Sequence, residues 1–190
     1  MKTSLGPRTV LYPTPVLLIG AYDGDGRPNI MTAAWGGICC SRPPCVGVSL
    51  RAATYTHGLI LAGQCYTVSI PSTRLIEQAD FAGLESGRTL DKFEALGLTA
   101  VHGSHVHAPY VDECPVALEC RLVTTLELGS HTQFVGEVLD VLVDEAVLGP
   151  EGIPDMVRLD PALYDPVGRR YYAVGRFLGE AFSIGRRLTR

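Results

Sequence analysis

Between Asn29 and Thr56 the chain reads NIMTAAWGGICCSRPPCVGVSLRAATYT, and this stretch sets an arginine and several hydroxyls where a strand gives way to a helix. Arg51 ends an apolar, strand-like run, and Thr54 and Thr56 bracket the helix start that follows. The first amides of a helix have no partner within it, and the helix dipole leaves that end positive. A guanidinium fork, hydroxyl donors and free amides in one place suit an anion, a phosphate monoester above all. The same spacing also describes a capped helix beside a solvated arginine. Lys92, in Thr89-Leu90-Asp91-Lys92-Phe93, puts a second cation at a helix start, where it opposes the dipole unless an anion lies near.

Other residues carry weaker signals. Asn29 opens the second strand and Trp35 closes it just before Gly36-Gly37, a pair that admits a ligand or another backbone. Trp35, the single tryptophan, reads equally as a core or interface aromatic. His131 opens a strand, where a histidine is commonly a satisfied polar residue, and Tyr164 reads as core packing or as a site aromatic. His102, His105 and His107 form H-x-x-H-x-H, but no cysteine or carboxylate completes a tetrahedral set at typical spacing, so no metal site is assigned. Neither G-x-S-x-G nor G-x-G-x-x-G occurs, which removes the nucleophile elbow and the dinucleotide fingerprint. The six cysteines contain no C-x-x-C; four lie in strand-like apolar runs, and most read as buried small hydrophobes.

The elements that position these residues are mostly strands. TPVLLIGAY (14–22) and residues 28–35 form a hairpin around Asp23-Gly24-Asp25-Gly26, residues that accept the positive φ of tight turns. Ser41-Arg42-Pro43-Pro44 interrupts the ladder before the strand Cys45–Arg51. A helix over 54–62 follows, with Thr54 as candidate N-cap and Gly63 as its stop, then the strand CYTVSIP. Ser72 or Thr73 caps a second helix ended by Gly83, and a third spans 90–96 before Gly97. In 116–126 Val116, Leu118, Cys120, Leu122 and Leu126 mark a half-buried strand; 131–143 is apolar enough to be covered on both faces. The last strand lies within 170–182. Strands with helices inserted irregularly argue for a mainly β fold, a closed antiparallel barrel with peripheral helices, rather than a doubly wound sheet.

Length and charge bound the rest. One domain over 1–190 is expected, since 190 residues with 46% hydrophobic content support one core better than two. The mean hydropathy of +0.18 fits either a β-rich domain with few charges or an apolar surface kept for a subunit partner, and the second is favoured. A net charge of −4 with scattered basic residues gives no footprint for nucleic acid. Proline interrupts the one apolar run near the N-terminus, and no segment reaches the roughly 18 apolar residues of a membrane span. A cytoplasmic protein that binds no membrane is the expectation.

From Thr14-Pro15-Val16 to Ile184-Gly185-Arg186 the chain resembles the flavin reductase-like, FMN-binding split-barrel family, its flavoredoxin branch in particular. Besides the 29–56 stretch, Asp91-Lys92-Phe93 matches the family's (D/S)KF, and Gly129–Val138 matches GDHTxxxGEV with Ser130 in place of aspartate. The resemblance implies a six-stranded antiparallel Greek-key barrel and a homodimer with flavin near the interface. It implies non-covalent FMN, with Arg51, Thr54, Thr56 and Lys92 at the phosphate. Asn29 and the stretch Thr32, Ala33, Ala34 and Trp35 would hold the ring, with His131 and Tyr164 beside it. His131 is the candidate catalytic residue, and Ser130 removes the carboxylate that would have favoured its charged form. The implied activity moves electrons from NAD(P)H through FMN to free flavin, a metal complex or a partner protein. Alternatives are a flavoredoxin-type carrier with little NAD(P)H oxidation, or a non-enzymatic FMN- or metal-binding barrel.

Overall fold

The structure, a computed structural model, describes residues 1–188. β1 (Thr14–Pro15) and β2 (Leu17–Tyr22) precede a turn into β3 (Pro28–Ala33). The Asp23 carboxylate accepts the N–H groups of Asp25 and Arg27 at 2.9 Å each, so the acidic-glycine turn behaves as its sequence predicts. β4 (Gly36–Ser41), β5 (Pro44–Arg51), α1 (Tyr55–Gly63) and β6 (Cys65–Ile70) follow. Then come α2 (Ile76–Leu84), α3 (Lys92–Leu96), β7 (Ala100–His102) and β8 (Pro109–Val111). Two long strands, β9 (Val116–Leu128) and β10 (His131–Val143), lead to α4 (Met156–Leu159), β11 (Leu163–Asp165) and β12 (Arg170–Tyr172).

Seven strands form one antiparallel sheet in the order β3-β2-β6-β9-β10-β5-β4. Its edge strands, β3 and β4, are separated in the chain only by Ala34-Trp35, and Ser49 N donates to Trp35 O at 2.7 Å across the seam. One bent strand therefore serves both ends of the sheet, and the sheet closes into a barrel of six staves. The six-strand expectation and the seven strands differ only by that bend.

The interior holds Ile19, Val48, Leu50, Ile60, Tyr66 and Phe134, all almost fully buried. A second cluster packs Val16, Leu18 and Ile30 against Ala79, Ala82 and Phe93, which places α2 and α3 over the outer face of β2 and β3. β2 is thus buried on both faces, as its unbroken apolar run requires.

Several sequence expectations change. β10 is not covered on both faces within one chain: Thr132, Phe134 and Gly136 are buried in alternation with partly exposed neighbours. The left-handed stop of α1 falls on Gln64, at φ 55°, rather than on Gly63. α2 runs through Gly83 to Leu84, because the glycine packs against Thr32 of β3 instead of ending the helix. Thr73 bonds the Asp160 carboxylate and does not cap. Strand structure in 170–182 is limited to Arg170–Tyr172. β4, β7, β8, β11 and α4, which the sequence did not signal, are short or depend on distant partners.

The β7–β8 connection is held by one side chain. Glu119, fully buried on β9, accepts the N–H groups of Ser104, His105 and Val106 at 3.0, 2.6 and 3.0 Å. Glu119→Ala should therefore lower stability by about 2 kcal/mol or more, because one buried and two part-buried amides lose their acceptor. Urea unfolding of the variant checks this; a midpoint equal to wild type would show that water replaces the carboxylate at no cost.

Candidate functional site

Where the bent strand crosses from β3 to β4, its backbone forms the floor of an open cleft of about 390 Å³. Met31 to Trp35 line one side, and the ends of β5 and β10 supply another. Arg51 and His131 are direct partners in the β5–β10 register, so both side chains reach the same rim. The Trp35 and His131 rings lie parallel within 5°, with centroids 6.4 Å apart, and Ser130 Oγ lies 2.8 Å from His131 Nδ1. Trp35 is 39% exposed, which excludes the reading of a buried core aromatic. Tyr164 lines the facing wall.

That wall also contains Tyr171 and Asp80, which the sequence did not single out. Tyr171 Oη donates to Asp80 Oδ1 at 2.7 Å across a separation of 91 residues, and burial with the adjacent carboxylate pushes the phenol pKa up. No local pattern announces such a pair. Ala34 lines the cleft, while Ala33 contributes its backbone and buries its methyl group in the barrel core. Thr32 lines it too, but its hydroxyl is committed to the Ala79 carbonyl and ties β3 to α2. Its side chain is therefore not the free donor expected at the ring.

A second cleft of about 200 Å³ continues from the first, sharing Met31, Thr54, Gly83 and Leu84. The start of α1 opens here. Thr54 occupies the N-cap position, yet its hydroxyl donates to Arg51 O at 2.8 Å and makes no cap to the helix amides. Those amides stay available to an anion. Arg51 lines the first cleft but not the second.

Lys92 lies at the base of the second cleft, only 3% exposed. Its ammonium donates to Ile30 O at 2.9 Å and Ala82 O at 2.6 Å, so one of three N–H groups remains. Burial pulls its pKa down to about 8, partly opposed by Glu85. It is not a solvated surface lysine. Arg88, whose guanidinium stands 5.2 Å over the Tyr55 ring, adds a cation that sequence reading passed over, in the turn signal Ser86-Gly87-Arg88.

Asn29 lines neither of these clefts and reaches the second only through Thr56. Its Nδ2 donates to Thr56 Oγ1 at 2.8 Å, both residues being buried. Its Oδ1 is buried without a partner, and a Cβ at Gly87 would sit 1.9 Å from it. Thr56 in turn offers Asn29 an acceptor before it offers any ligand a donor. The joined clefts fit a flavin mononucleotide by chemistry: uncapped amides and cations at one end, stacked aromatic and imidazole groups at the other.

The three histidines of H-x-x-H-x-H separate. His102 Nε2 lies 3.1 Å from His107 Nδ1 beside the Tyr22 ring, while His105 turns toward Asp140 at 3.6 Å. His105, Glu119 and Asp140 are the one potential ligand group among the described residues, and Glu119 already spends its oxygens on three amides.

Residues 9–174 match the family model described as the flavin reductase like domain. Among solved structures, the flavoredoxin of Desulfovibrio vulgaris (Miyazaki F) is 56% identical with a TM-score of 0.93, over 97% of this chain and all of that one. A flavoredoxin from Methanosarcina acetivorans is 32% identical with a TM-score of 0.93, over 99% of each. A Streptomyces viridifaciens NADPH-flavin oxidoreductase is 33% identical over 67% of this chain and 66% of its own. With the match spanning most of the chain and the barrel shared, the protein belongs to the flavin reductase-like split-barrel family.

Proposed function

We propose that this protein holds FMN non-covalently and moves electrons from NAD(P)H through it to an acceptor, working as a homodimer in the cytoplasm. The observation that carries this reading is the continuity of the two clefts, with an anion-seeking end and an aromatic end on one bent strand. Bound FMN would supply reversible uptake of one or two electrons.

The chain's own groups would do the holding. The α1 amides, Lys92 and Arg88 would favour a terminal phosphate, with Thr54 where the clefts meet, Arg51 in the first cleft and Thr56 kept in place by Asn29. Thr32 to Trp35 and Tyr164 line the cleft that would hold the ring. Ser130 engages His131 Nδ1, which leaves Nε2 as the nitrogen that can hold or pass a proton. An NADPH-flavin oxidoreductase among the relatives supports nicotinamide as donor. A carrier with little NAD(P)H oxidation is the second reading, favoured by 56% identity to a flavoredoxin.

Exposed Val123, Leu126 and Leu128 on β9 are apolar side chains left uncovered in one chain, which supports a dimer. No described helix is long and apolar enough to cross a membrane.

Denaturing the purified protein should release FMN and not FAD, and anaerobic addition of NADPH or NADH should bleach the flavin within seconds. Bleaching only by dithionite would leave the carrier reading. Sedimentation over a dilution series should show a dimer that persists on dilution, as an interface on the order of 2,000 Å² would give, and a stable monomer that keeps its flavin would refute the assembly.

Lys92 gives a pH test with opposite signs for folding and binding. Its folded pKa of about 8 lies below the usual 10.5, so between these values the unfolded chain keeps a proton that the folded chain has lost. Flavin-free protein should therefore gain stability as pH rises through that window. FMN affinity should fall over the same window, since the anion prefers the ammonium. Lys92→Met should flatten both curves and weaken FMN binding about ten- to a hundredfold at pH 7; melts and flavin fluorescence titrations read the two effects.

A further inference from the structure

The β4–β5 hairpin carries three cysteines that the flavin site leaves unused. Ser41 faces Pro44 across the tip, and Cys40 faces Cys45 directly across the antiparallel pair. The register slips between Ile38 and Cys40, so Cys39 is the extra residue of a bulge. Opposed residues in an antiparallel pair have Cα atoms about 4.5–5.5 Å apart, within the roughly 4.4–6.8 Å that a disulfide spans. Cys39 is the poorer partner. Its Sγ packs over Gly47, 3.8 Å from where a Cβ would stand, and it lines a separate cavity of about 510 Å³ that also contains Trp35.

Cys40 is exposed and Cys45 buried. Burial pushes the Cys45 thiol up, and Cys40 and Cys39 push in the same direction, which reflects thiols held near one another. The three sulfurs do not converge as a metal site: among the described residues the one group close enough is His105, Glu119 and Asp140.

We propose that Cys40 and Cys45 form a reversible two-electron dithiol–disulfide centre at the edge of the barrel. The Cys40 thiolate attacks a low-molecular-weight disulfide, whose S–S bond breaks and releases one thiolate. Cys45 then attacks the Cys40 sulfur of the mixed disulfide, and the second thiolate leaves. One protein S–S bond forms, the oxidant disulfide is reduced by two electrons, and the two cysteine protons pass to the two released thiols. β4 is the continuation of β3 through Ala34-Trp35, so the bond locks the strand that also floors the flavin cleft.

The test uses the flavoprotein as purified, equilibrated in mixtures of reduced and oxidised glutathione, then alkylated under denaturing conditions. Oxidation should remove the mass of two hydrogens and leave four of the six cysteines alkylated, with Cys40 and Cys45 protected in tandem mass spectra of the hairpin peptide. Dithiothreitol should reverse it. Cys40→Ser should abolish the change, and Cys39→Ser should leave it intact. A persistent glutathione adduct on Cys40 with Cys45 alkylated, a bond mapped to Cys39, or six alkylated thiols throughout would each overturn the proposal. The wild-type map needs no variant to fold, and the readout does not depend on FMN, so failure here is distinct from failure of the flavin reading.

Discussion

The bend at Ala34-Trp35 is the constraint on which the molecule depends. Because β3 and β4 are one strand used twice, the two edges of the sheet must meet there, and the Ser49–Trp35 hydrogen bond records the seam. Backbone at such a seam cannot be paired along its whole length on both sides. It is left to line a cleft, and the end of β5 and the start of β10 lie beside it with Arg51 opposite His131. Closing the barrel and building the aromatic end of the site are one geometric event.

The other end of the site rests on an ammonium group that would be costly if it were not so well used. Lys92 Nζ bonds carbonyls of β3 and α2 from its own place on α3, joining three elements that line the second cleft. Two carbonyls compensate only part of the desolvation, and its pKa falls accordingly. A group held charged in a poorly solvating place is well prepared to meet an anion, because little solvent must be stripped when the anion arrives. The unpartnered Asn29 Oδ1 and the uncapped α1 belong to the same pattern, polar capacity left open next to one cleft.

Exposure along β9 and β10 follows from the same closure. The β7–β8 loop, anchored on Glu119, and α4 cover the start of β9 and the end of β10 paired with it, while Leu126 and Leu128 stay exposed at the far end of β9.

Local chemistry alone determined the hairpin at Asp23–Gly26, the helix start after Arg51 and the left-handed stop at Gly97, since each depends on contacts within a few residues. Local chemistry singled out Arg51 and Thr54, the family resemblance alone grouped Trp35, His131 and Tyr164, and the fold brings all five to one cleft. Tertiary structure decided the rest. Asn29 turned to Thr56 because β3 passes beside α1, and Thr32 gave its hydroxyl to α2 because that helix packs on the strand. Asp80 met Tyr171 only when α2 and β12 came together, and Lys92 became buried only once α3 met α2. A sequence encodes which groups a chain can offer. Which of them stay free for a ligand is settled by hydrogen bonds between residues far apart in the chain, and those form only as the barrel closes.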